Sequence, residues 1–184
     1  MEKIILGIDP GTNIMGYCVI KTKGNKIDLL VMDVLKMSRL PDHALKLKKI
    51  FETTLRIIDS YHPDFLAIEA PFVGKNSQSA LKLGRAQGVC LAAALYRSIP
   101  VQEYSPRKVK QAITGSGSAS KEQVAAMVDR MVELNPDVTD LDATDAIAVA
   151  ICHHLQKDFS DIGGDKYSGW AKFLTENPDR IVKK

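Results

Sequence analysis

The stretch Lys3–Lys21, KIILGIDPGTNIMGYCVIK, decides how the chain folds. An apolar run reaches Asp9, Pro10-Gly11-Thr12-Asn13 supplies turn chemistry, and Met15 to Lys21 is again rich in β-formers. That pattern reads as strand, tight connection, strand. Lys23-Gly24-Asn25 marks a second turn and Ile27 to Leu35 a third strand, so the N-terminal third is an antiparallel meander. Asp9 is the anomaly: a carboxylate that closes a buried-looking strand needs compensation.

Outward from this meander the period changes. Leu47, Ile50, Phe51, Leu55 and Ile58 recur at helical spacing, predicting an amphipathic helix over 42–61 that ends at His62-Pro63. Phe65 to Glu69 reads as a short buried strand and Gln78 to Arg97 as an Ala/Leu-rich helix. Val101 to Tyr104 is a further strand, and Pro106 opens a short helix through Ile113. Ser120 and Gln123 have capping-box spacing for a helix to about Asn135, and a last helix covers about Asp140 to Leu155. The order β-β-β-α-β-α-β-α-α-α predicts an α/β fold: a mixed five-stranded sheet with an antiparallel flank and helices on both faces. Residues 1–157 form this domain, and 158–184 read as a polar, weakly periodic tail, mobile or draped on it.

Composition narrows the class. Of 184 residues, 45% are hydrophobic and 26% charged, enough to bury a core and too apolar for wholesale disorder. No apolar run reaches the ~20 residues of a membrane span, and the N-terminus lacks the pattern of a signal peptide. Cys18, Cys90 and Cys152 sit among apolar residues with no close pair, so they read as buried small hydrophobes of a cytoplasmic protein rather than disulfides or zinc ligands.

Four acids carry the chemistry. Asp9 and Glu69 close apolar strands, although Asp9 could simply begin an Asx-turn with Pro10-Gly11. Asp142 and Asp145 are three apart on one helix face, where first-turn acids also complement the helix dipole. The small residues Ala143, Thr144 and Ala146 would let that helix sit close to a sheet. Converging from two strand ends and a helix, the four carboxylates would repel one another if left bare. A hard divalent cation, Mg²⁺ or with Mn²⁺ as substitute, is the natural compensation. Two such ions clamp a phosphodiester, activating water and stabilising the leaving oxygen. No Walker A loop or Ser-His-Asp set is present.

The formal charge of +3 conceals an asymmetry. From Lys75 to Arg130 nine lysines and arginines face three acids, a local net of +6 that leaves −3 elsewhere. Segregation of this kind suits a polyanion surface beside an acidic metal site, whereas single cations such as Lys82 and Arg97 read as solvated helix faces. Lys121 opens a helix against the dipole and so needs another reason to be there. Phe72 lies in a loop bounded by Pro71 and Gly74, either folded onto the core or serving as an apolar wedge for DNA. His153 is eight residues past Asp145, about 12 Å along a helix, too far to share an ion. It and His154 fit a helix C-terminal cap, and His43 and His62 carry no argument.

The segments GIDPGTNIMGYCVI, AIEAPFVGKNSQSALKLGRAQGV, EYSPRKVKQAITGSGSASKEQV and DATDAIAVAICHH together resemble the RuvC-type Holliday junction resolvases of bacteria, collinearly over about residues 3–155. The resemblance implies an RNase H-like fold and a homodimer that makes paired symmetric nicks in four-way junction DNA during recombination and repair. It implies two Mg²⁺ per site held by Asp9, Glu69, Asp142 and Asp145, with some members carrying His at the position of Asp142. Phe72, Lys75, Arg107, Lys110, Ser118 and Lys121 are the corresponding candidate DNA contacts. The RuvA–RuvB branch-migration complex is the implied partner. Two other classes share the Asp-x-Gly opening. One is an RNase H-fold nuclease of the RuvX type acting on RNA. The other is an actin- or sugar-kinase-type ATP-binding lobe, which would need a second Asp-x-Gly-Thr hairpin that this chain lacks.

Overall fold

The structure, a computed structural model, describes residues 1–71, 77–132 and 141–156. Strands β1 (Glu2–Asp9), β2 (Ile14–Lys23) and β3 (Lys26–Lys36) form the expected antiparallel meander. Helix α1 (His43–Tyr61) then returns the chain to β4 (Phe65–Glu69), which pairs parallel with β1. Helix α2 (Ser77–Tyr96) leads to β5 (Val101–Tyr104), parallel to β4. Three helices follow: α3 (Pro106–Thr114), α4 (Lys121–Met131) and α5 (Leu141–Leu155). The sheet order is β3-β2-β1-β4-β5, mixed and five-stranded as the sequence predicts.

Local chemistry sets the boundaries. Asp42 caps α1 through a bond from the Ala44 N–H, and His62 stops it in the left-handed region at φ 46°. Ser105 caps α3, Pro106 occupies its first turn, and Gly115 ends it at φ 78°. At α4 the capping box is complete: the Gln123 N–H donates to Ser120 Oγ, and the Ser120 N–H donates to Gln123 Oε1. This helix stops at Met131, short of the expected Asn135, because Val132 turns extended at φ −136°. The expected tail over 158–184 lies outside the described residues.

Strand alternation divides the interior into two cores. Ile5, Cys18, Ile20 and Ala67 face α3, α4 and α5, whereas Leu6, Ile8, Val19, Leu66 and Ile68 face α1 and α2. Helix α5 is the central brace, buried from Ala146 to Cys152 on nearly every side. All three cysteines are buried, and desolvation pushes the Cys18 and Cys90 thiols up to about 12, so they act as packing groups. Arg97 does more than cover a helix face: its guanidinium holds the Asp59 carboxylate at 2.7 and 2.9 Å, tying α2 to α1. No helix among the described residues is long and apolar enough to cross a membrane.

Candidate metal centre

The last parallel pair between β1 and β4 is Ile8 with Ile68, so Asp9 and Glu69 occupy the next register position at the carboxyl ends of adjacent strands. By alternation both belong to the face of Ile5 and Ala67, the face covered by α5. This helix brings Asp142 and Asp145 to the same end of the sheet. Carboxylate oxygens of Asp9, Asp142 and Asp145 lie within 4.8 Å of one another. Glu69 stands outside that tightest set but belongs to the same electrostatic unit, since its charge raises Asp9 and the charge of Asp145 raises Glu69.

Two glycines make the approach possible. A Cβ on Gly16 would overlap the backbone carbonyl of Asp142, and one on Gly7 would overlap that of Ala146 and stand 2.8 Å from the Ala150 Cβ. The helix backbone therefore rests on the strand backbones of β1 and β2 with no side chain between. Ala143 and Ala146, both buried, provide the matching small surface on the helix. The sequence reading anticipated the helix side of this contact and missed the strand side. Its available signal was a glycine inside each of two otherwise β-rich runs.

The electrostatics follow from crowding. Asp9 is pushed up to about 8, first by burial and then by the charges of Glu69 and Asp145. Glu69 is pushed up to about 7, by burial and then by Asp145, while Lys121 and Lys110 pull it back. Lys121 answers the question raised by its place at the start of α4. Its ammonium lies 2.5 Å from Asp145 Oδ2 and is raised above the usual lysine range, chiefly by that bond. Lys121 is 58% exposed and Asp145 19%, so the cation reaches solvent while its partner stays in the cluster. One ammonium does not balance four carboxylates, and the donor set is all hard oxygen. The residues present thus fit a divalent cation of the Mg²⁺ or Mn²⁺ kind.

A pH dependence follows. Because the folded-state values of Asp9 and Glu69 lie above their ordinary ones of 3.8 and 4.5, the native protein binds more protons than the unfolded chain from about pH 4 to about pH 8. Metal-free stability therefore falls as pH rises through that window. Urea unfolding in chelator at pH 5 and pH 9 should give a lower midpoint at pH 9. Millimolar Mg²⁺ should restore most of the loss there and little at pH 5.

The remaining candidates occupy the flank beside α5. Lys110, on α3, is close enough to lower the Glu69 value. Arg107 lies along the Gly115–Ser120 loop, where a Cβ on Gly117 would meet its Cγ at 2.7 Å. Ser118 belongs to a hydroxyl network that shapes the same loop: its Oγ is 3.1 Å from Ser116 Oγ, and Thr114 Oγ1 donates to the Ser116 carbonyl. Phe72 and Lys75 lie outside the described residues. His153 is far from the carboxylates, as expected, yet it does not simply cap α5. Its Nδ1 is 2.7 Å from the Tyr104 hydroxyl and its ring stacks obliquely on Phe65, which gives Tyr104 a specific partner beyond strand packing.

A mixed sheet with acids at the carboxyl ends of its central parallel strands, braced by a helix that adds two more, defines the class: an RNase H-like domain with a cluster of carboxylates at the end of its sheet. The family model described as crossover junction endodeoxyribonuclease RuvC matches residues 5–153. The crossover junction endodeoxyribonuclease RuvC of Bacteroides fragilis is 53% identical over 182 residues, 98% of this chain and 96% of that one. Its counterpart in Cytophaga hutchinsonii is 52% identical over 181 residues, 98% of this chain and 89% of that one. The solved structure of T. thermophilus RuvC in complex with Holliday junction substrate matches with a TM-score of 0.78 at 34% identity, covering 83% of this chain and 93% of that one. The chain belongs to the RuvC family.

Proposed function

We propose that this protein is a Holliday junction resolvase, a structure-selective endonuclease that nicks four-way DNA junctions in recombination and repair. The observation that carries the reading is the oxygen cluster of Asp9, Asp142 and Asp145, with Glu69 beside it, in a chain of the RuvC family. Asp9, Glu69, Asp142 and Asp145 hold two Mg²⁺ in this reading. Two such ions would supply positive charge at the phosphodiester and acidify a water; hydrolysis of the P–O3′ bond leaves 5′-phosphate and 3′-hydroxyl ends.

The chain's own residues position the DNA. Lys121 reaches solvent from the rim of the cluster, where it can exchange Asp145 for a backbone phosphate. Lys110 adds a second cation near Glu69, and the start of α4 adds backbone N–H groups. Arg107 and Ser118 extend the same surface, and Lys75 and Phe72 are further candidate DNA contacts by the family resemblance alone. The active unit is a homodimer, whose two-fold symmetry places one site on each of two opposing strands. It works with the RuvA–RuvB branch-migration complex in the bacterial cytoplasm, a location that three buried, unpaired cysteines suit.

Cleavage of a mobile four-way junction, with and without Mg²⁺, tests this against a matched linear duplex and a structured RNA. Paired, Mg²⁺-dependent nicks in the junction alone are expected, at least ~100-fold faster than in the duplex, since phosphate contacts alone would not discriminate shape. Preferential cleavage of the RNA would replace the resolvase reading with the RuvX-like one.

A further inference from the structure

On the other face of the sheet, a groove of about 410 Å³ opens beside the turn that follows Asp9. Thr12 and Asn13 of that turn, His43 and Lys46 of α1, and Ser79 and Lys82 of α2 line it. No carboxylate is among the described lining residues. The nearest acid in sequence, Asp42, is engaged in capping α1 through the Ala44 N–H. Lys46 Nζ donates to Asn13 Oδ1 at 2.8 Å, which fixes the cation against the turn. His43 Nε2 is buried with no hydrogen-bond partner, the sole such side-chain atom among the described residues. A buried ring nitrogen left unpaired is costly and calls for a partner that none of the described residues provides. The first turns of α1 and α2 both border the groove, adding the positive ends of two helix dipoles.

Two ammonium groups, a buried imidazole nitrogen, two hydroxyls and two helix N-termini, with no acid among the described lining residues, match the chemistry of a phosphodiester. The place matches as well. Asn13 is four residues from Asp9, so their Cα atoms are at most about 14 Å apart, the rise of about four nucleotides in one strand. Lys110 and Lys121 flank the carboxylates from the α3–α4 side, whereas this groove flanks them from the α1–α2 side. We propose that the groove is a second backbone-phosphate subsite, holding the DNA strand a few nucleotides from the scissile bond. The proposal rests on the resolvase reading and adds His43, Lys46 and Lys82 to the DNA-positioning surface.

The test is equilibrium binding of a fluorescent four-way junction to the full chain in chelator, where no cleavage occurs, at a series of salt concentrations. The Lys46→Met/Lys82→Met variant should weaken binding about 10- to 100-fold at 150 mM salt. It should also lower the slope of log Kd against log salt by about one to two. Lys82→Met alone should lower the slope by about one, which reads the site even if the double variant folds poorly. His43→Phe, which fills the space without the ring nitrogen, should weaken binding severalfold with the slope retained. Lys48→Met is the control, because Lys48 lies on α1 outside the groove and pairs with Glu52 at 3.7 Å. An unchanged slope in both lysine variants, an unchanged affinity in His43→Phe, or an equal loss in Lys48→Met overturns the subsite. Wild-type protein that shows no preference for the junction over linear duplex would instead overturn the resolvase reading.

Discussion

Asp9→Asn should abolish Mg²⁺-dependent junction nicking, lowering the single-turnover rate by at least about 10³-fold, while Kd for the junction stays within about threefold. The substitution preserves shape and removes one anionic oxygen from a set that lies within 4.8 Å. It should also raise the stability of the metal-free protein. Asp9 is held at about 8 because burial and the neighbouring Glu69 and Asp145 oppose its charge, and asparagine carries none. At pH 8 to 9 the gain is on the order of a few kcal/mol; it shrinks as pH falls below about 8 and vanishes only below about pH 4, where Asp9 is protonated in the unfolded chain as well. Stability that rises while cleavage disappears separates an electrostatic role from a folding role. Nicking by Asp9→Asn at the wild-type rate would show that the cluster is not where hydrolysis occurs.

Gly16→Val should be the most damaging single change at the contact between α5 and the sheet. Its Cβ would overlap the Asp142 carbonyl and stand 2.6 Å from the carbonyl carbon, so a backbone must move. Overpacking of this kind costs about 3 kcal/mol, or about 6–12 °C in Tm for a domain of this size. The functional loss should exceed the stability loss. Lifting the first turn of α5 carries Asp142 and Asp145 away from Asp9, so Mn²⁺ affinity should fall at least tenfold in protein that calorimetry shows still folded. Gly84→Ala is the matched control: nothing lies within 4 Å of its Cβ position, and alanine in a helix should be neutral or stabilising by up to ~1 kcal/mol. Equal Mn²⁺ affinity in Gly16→Val and wild type would disprove the close-packing account of the site.

Much of the architecture was legible because its signals are local. The Asp9-Pro10-Gly11 turn, the period change at residue 42, the capping box at Ser120 and Gln123, and the helix stop at His62-Pro63 each act within a few residues. Asp9 and Glu69 were legible as candidates because a carboxylate ending an apolar strand is expensive wherever the strand is buried. Less local features escaped. Lys121 could be seen to oppose its helix dipole, but its partner Asp145 is 24 residues away on another helix. In sequence Lys82 reads as a solvated helix face and His43 carries no argument, since a groove shared by α1, α2 and the β1–β2 turn has no signature in any one of them.

Sequence by itself thus determined the elements, their order and the four acids, because period, turn chemistry and capping are properties of short stretches of chain. Tertiary structure alone decided how close those acids come. Their separation depends on two backbones meeting at Gly7 and Gly16, and on strand alternation sending Asp9 and Glu69 to the face that α5 covers. Coulomb and desolvation energies grow steeply only at such short range. The raised values of Asp9 and Glu69, and the metal chemistry they imply, are therefore products of packing.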